Sequence, residues 1–207
     1  MSAAVREGRV RGWDPLVRLT HWGIAAVVLV NGLLDEGGSA LHIWLGYGAF
    51  SLLALRLVWG LIGTEEARFS AFPPRPAAAL GYAREMAKGE NSEHRSHNPL
   101  GALMVYALWG TLIVVTGTGI AMAGSPLKTL EPRQEVAATF AEHDEAGENR
   151  GERDGEEGGV LKEVHEVAAN LLLVLAALHV AGVAFETRRF GTGFVRGMVT
   201  GTRSDSL

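Results

Sequence analysis

Residues 165–179 read HEVAANLLLVLAALH, with a histidine at each end of an almost wholly apolar run. An α-helix rises about 1.5 Å and turns about 100° per residue. The second imidazole therefore lies about 21 Å along the axis and within about 40° of the first. Both rings share one face of one helix. A bilayer core of about 30 Å needs roughly 20 mainly apolar helical residues, and the run around these histidines, about residues 160–186, meets that length. An ionisable side chain at membrane depth is costly and reads as functional, facing a bundle interior with a partner at its own level.

Three further segments have the same character: about residues 15–34, 41–62 and 98–123. The third opens HNPLGALMVYALWG, where Asn98 is a plausible N-cap and Pro99 a first helical residue. The expected fold is an all-α integral membrane protein, a four-transmembrane-helix bundle forming a single domain over residues 1–207. Hydrophobic residues make up 47% of the chain, yet mean hydropathy is only +0.13, because charged connectors separate the apolar runs. A cleaved leader is the rival reading of the first segment, which has a basic front and small residues at Gly38, Ser39 and Ala40. The long front and His21 argue against it.

The connectors set the expected orientation. Arg6, Arg9 and Arg11 precede the first segment and Arg18 lies near its start, and Arg68, Arg75, Arg84, Lys88 and Arg95 lie between the second and third. Excess Lys and Arg mark the cytoplasmic side, so both termini are expected there. The connector DEGGSA has no base and is expected outside. Proline-rich PPRPAAALGYAREMAKGE suggests a short surface helix. Residues 124–160 hold ten acids and four bases, a net −6 within a chain of net −4. That composition buries too little apolar surface to order itself and predicts a mobile outer loop over residues 124–159.

Of seven histidines, His94, His97 and His143 fall in polar connectors and read as ordinary surface residues. The other four pair by depth. His21, near the cytoplasmic start of the first helix, is level with His179. His42, at the outer start of the second, is level with His165. Two axial imidazoles from different helices suit a six-coordinate haem iron. A histidine at a helix end is commonly a cap or interfacial group, and four at matched depths weigh against that. Copper or zinc is a weaker alternative, since two imidazoles do not complete a tetrahedral shell. The chain has no cysteine, which excludes disulfides, thiolate catalysis, iron–sulfur ligation and covalent haem attachment. Any haem is therefore non-covalent haem b, two per chain.

Arg56 follows His42 on the same helix face and could neutralise a haem propionate or snorkel to the interface. Gly46, Gly48, Gly101, Gly117 and Gly119 leave room for a macrocycle or for close helix packing. Trp22, Trp44, Trp59 and Trp109 suit an interfacial belt or haem pockets. Asp14, Asp35, Glu36, Glu166 and Glu186 could handle quinone protons or be solvated interfacial acids.

The stretches WDPLVRLTHW, LHIWLGYGAF with LRLVWGLIG, HNPLGALM and HEVAANLLLVLAALHVAGV resemble the bacterial di-haem cytochrome b561 family, related to the b-type cytochrome subunits of nickel–iron hydrogenases. The resemblance spans most of residues 13–190. It implies a four-helix bundle with two haems b, ligated from the first, second and fourth helices at His21, His42, His165 and His179. It also implies exchange of electrons with a membrane quinone and with partner redox proteins. The long acidic loop departs from compact members and hints at a docking partner. The function expected is a di-haem b transmembrane electron-transfer protein of the bacterial inner membrane, linking the quinone pool to a periplasmic c-type cytochrome or another redox subunit. Membrane lipid is an expected partner and nucleic acid is not. The alternatives are a membrane anchor of a hydrogenase or dehydrogenase complex, and a non-redox small transporter or metal-binding membrane protein.

Overall fold

The structure, a computed structural model, describes residues 14–35, 37–88, 99–124 and 148–201. Asn98, Glu36, the three connector histidines and residues 125–147 of the acidic stretch lie outside the described residues. Among the described residues the regular elements are all helical. Helix α1 spans Pro15–Leu29 and widens into a π-helical turn over Val30–Leu34. Then come α2, Ala40–Ile62, two short 3₁₀ turns at Glu65–Ala67 and Phe69–Ala71, and α3, Pro76–Ala87. Helices α4, Pro99–Ala123, α5, Glu148–Phe190, and α6, Gly193–Thr200, complete the order.

Four of these helices are long and apolar enough to cross a membrane: Pro15–Leu34, Ala40–Ile62, Pro99–Ala123 and Gly158–Arg189. Lipid favours this architecture because a helix satisfies every backbone N–H and C=O internally. Only 11–22% of each apolar window is buried inside the chain. Leu19, Leu33, Val58, Val174 and Val180 are exposed, an apolar surface suited to acyl chains and untenable in water. Helix α5 departs from the loop expected up to residue 159, since its backbone is already helical from Glu148. The apolar segment has met the cost of nucleation, so each added residue gains a bond, and Glu and Arg at 148, 150, 152, 153 and 156 are good helix formers.

The chain divides into two units, each gathered from segments remote in sequence. Among the described residues the first comprises 14–23, 55–88, 99–104 and 176–201, with Val17, Thr20, Arg56, Phe72, Tyr82 and Ala102 buried. Here Asp14 organises the entry to α1. Its Oδ1 accepts the Leu16 amide at 2.8 Å. Its Oδ2 accepts the Trp59 indole N–H at 3.2 Å and the Thr64 hydroxyl at 3.0 Å. Burial pushes the carboxyl pKa up, but these bonds outweigh it and hold Asp14 below its ordinary value of 3.8. At the other end of the chain, the last carbonyls of α6 are capped from α1. Arg18 donates through Nε to the Met198 carbonyl at 3.1 Å and through Nη2 to that of Val199, and Trp22 Nε1 donates to Met198 at 3.1 Å. Gly201 then ends α6 at φ +77°, a left-handed conformation that glycine adopts without strain.

Asp14→Ala is expected to cost about 0.5–2 kcal/mol, the range for losing an N-cap carboxylate or hydroxyl. The pH dependence has a definite sign. A depressed folded-state pKa means that the contribution is complete above pH 3.8 and is lost as pH falls through the lowered value. Thermal melts of the detergent-solubilised protein at neutral and acid pH check both: the gap between parent and variant closes in acid.

The second unit comprises, among the described residues, 24–35, 37–54, 105–124 and 148–175, with Ala49, Leu53, Leu112, Thr116, Ala168 and Leu172 buried. Asn31, in the π-helical turn, donates Nδ2 to the His42 carbonyl at 3.0 Å. Tyr47 donates its hydroxyl to the Gly124 carbonyl at 2.5 Å, tying α2 to the end of α4.

Candidate functional site

His42 stands in the first turn of α2. Ser39 precedes the helix, and its Oγ accepts the His42 amide at 2.9 Å while donating to Asp35 Oδ2 at 2.8 Å, a capping arrangement that fixes where the helix starts. The same Asp35 Oδ2 lies 3.7 Å from His42 Nδ1, too long for a hydrogen bond but close enough to place a negative charge beside the ring. His42 faces His165 of α5, with ring centroids 6.1 Å apart and planes inclined at 64°.

His165 is held from α4. Its Nδ1 lies 3.0 Å from Thr118 Oγ1. The Thr118 hydroxyl gives its own proton to the Val114 carbonyl at 2.7 Å, so toward the ring it acts as acceptor and the proton of the contact belongs to Nδ1. Gly119 makes the close approach possible: a Cβ there would stand 3.2 Å from His165 Cε1. The reading of Gly119 as space for a macrocycle thus gives way to space for the imidazole itself. Gly46, Gly48 and Gly117 have nothing within 4 Å of where a Cβ would stand, open room on α2 and α4.

In the other unit His21 and His179 face each other with centroids 6.2 Å apart and planes at 60°. His21 packs edge-on against Trp22 at 5.1 Å, whose indole is tied to Met198. His21 Nδ1 is buried and has no hydrogen-bond partner. Arg56 does not snorkel. It is 6% exposed and donates Nη2 to the Ala67 carbonyl at 3.1 Å, turned into the connector that follows α2.

A metal–imidazole bond of about 2.0 Å, with the ring nitrogen about 1.1 Å from the ring centre, puts two rings on opposite sides of one metal about 6.2 Å apart. The observed 6.2 Å and 6.1 Å match. Among the described residues no group of three or more His, Asp or Glu could hold a bare metal ion. His21 with His179, and His42 with His165, are the residues that would hold a haem, which would supply a one-electron couple there.

The remaining acids have structural partners. Asp14 caps α1, Tyr82 donates to Glu186 at 3.4 Å, and Glu166 pairs at 3.8 Å with Lys162 on the exposed face of α5. Trp59 serves Asp14, while Trp44 and Trp109 pack against Tyr47 and Tyr106. Sequence reasoning missed Thr118, and the one cue it held was the adjacency of a hydroxyl to Gly119 within an apolar helix. Compared with known families, residues 12–201 match the family model described as prokaryotic cytochrome b561. Comparisons with curated proteins and with solved structures find no match.

Proposed function

Because the chain belongs to the prokaryotic cytochrome b561 family and is a haem b electron-transfer protein of a bacterial membrane, we propose that it carries two haems b. One sits between His21 and His179 and the other between His42 and His165. The protein passes electrons between the quinone pool and a redox partner on the outer face of the inner membrane. The observation that carries this reading is the presence of two imidazole pairs, each at the separation one axially ligated metal requires. Haem b supplies a one-electron ferric–ferrous couple. The chain's part is to hold four imidazoles on three helices, to keep water out with apolar helix faces, and to set the charge around each pair.

Both termini and the α2–α4 connector face the cytoplasm in this reading, following Arg68, Arg75, Arg84 and Lys88. The acidic stretch then faces outward, where its negative charge suits a basic electron carrier such as a c-type cytochrome. The test is a reduced-minus-oxidised spectrum of the purified protein with a haem count. Two haems b per chain are expected. A colourless protein overturns the redox reading, and a single haem overturns the two-site assignment.

Arg56 supplies positive charge within the unit that holds His21 and His179. We propose that it pairs with a haem propionate. A positive charge favours the reduced, less positive centre, so Arg56→Leu lowers the midpoint potential of that haem alone. Redox titration of the variant reads this directly, and two unchanged midpoints would leave Arg56 as a clamp on the Ala67 carbonyl.

A further inference from the structure

We infer that Thr118 is a positioning residue for His165 and tunes the haem held between His42 and His165, an inference that rests on the ligand assignment above. The Thr118 hydroxyl is committed as donor to the Val114 carbonyl at 2.7 Å and is 3.0 Å from His165 Nδ1. It accepts the Nδ1 proton. That leaves Nε2 as the lone-pair nitrogen, the one free to bind iron, and fixes the tautomer before any haem arrives. Gly119 closes on the Cε1 edge, so the turn of α4 that carries Thr118 also gives the imidazole its room. A hydrogen bond accepted from the distal N–H of a metal-bound histidine makes the ligand more electron-rich. An electron-rich axial ligand favours ferric iron and lowers the potential. His21 Nδ1 and His42 Nδ1 are both buried with no such acceptor, and the Thr118 contact is made to His165. Thr118 therefore acts on one haem only.

The experiment compares Thr118→Val with Thr118→Ser in the purified, haem-loaded protein, by haem count and by redox titration of both centres. Valine keeps the shape and removes the acceptor, while serine keeps the acceptor. In the valine variant the His42–His165 haem is expected to titrate at a higher potential, with about a tenfold shift in its reduced-to-oxidised ratio at fixed potential. Loss of such a partner typically costs about 10- to 100-fold in metal affinity or activity, and the redox shift is set at the lower end of that scale. The other haem stays unmoved, and the serine variant matches the parent. Selective loss of this haem in the valine variant, with retention in the serine one, supports the same role, because the ring has lost its orienting contact. Two parental midpoints in Thr118→Val, or equal shifts in both variants, overturn the proposal. A parent that carries no haem at this pair is a different failure, that of the ligand assignment itself.

Discussion

His21→Ala and His179→Ala are each expected to lower the haem content from the proposed two per chain to one, and both to empty the same site. His42→Ala and His165→Ala each empty the other. The pairing follows from ring centroids 6.2 Å and 6.1 Å apart. Removing either imidazole would leave the haem one protein ligand, and a haem held without a covalent link would depend on both. The loss is all-or-none at the affected site, so the double variant His21→Ala/His179→Ala retains as much haem as either single variant, as expected for residues acting as one unit. Haem quantification with redox titration identifies which centre survives. If His21→Ala and His165→Ala emptied the same site, both the pairing and the helix arrangement behind it would be wrong.

Electron transfer to the proposed basic periplasmic carrier is expected to slow steeply with salt. Residues 124–160 carry a net −6, and an anionic surface raises association rates with a cationic partner by about 10- to 1000-fold. The Debye length falls from about 30 Å at 0.01 M to about 10 Å at 0.1 M ionic strength, so most of that gain disappears across this range. Replacing Glu142, Asp144, Glu145 and Glu148 together by their amides flattens the salt dependence and leaves both haem spectra intact. Stopped-flow measurement with a panel of c-type cytochromes reads the effect. Rates indifferent to both salt and the four substitutions would leave the acidic stretch with no docking role.

The sequence alone carried the architecture and the identity of the paired histidines. Spanning length depends on a helix's rise against bilayer thickness, and the shared face of His165 and His179 depends on the turn per residue. Both are properties of the local backbone, so they can be read from spacing. Depth matching then needed only that successive spans alternate in direction. What the spacing left open was how each ring is held. Thr118 and His165 lie 47 positions apart, and their contact depends on the rotation of α4 and α5 about their own axes. Residues packed all round an apolar helix leave no periodic trace of that rotation: α4 reads as uniformly hydrophobic, PLGALMVYALWGTLIVVTGTGIAMA. Arg56 shows the same division. Its face and depth follow from its distance to His42, but only the fold of the following connector brings the Ala67 carbonyl within 3.1 Å and turns a side chain that could have reached the interface inward. The start of α5 at Glu148 was hidden for a related reason. A polar segment's helicity here comes from the apolar helix it extends, a cooperative effect that its own composition does not reveal.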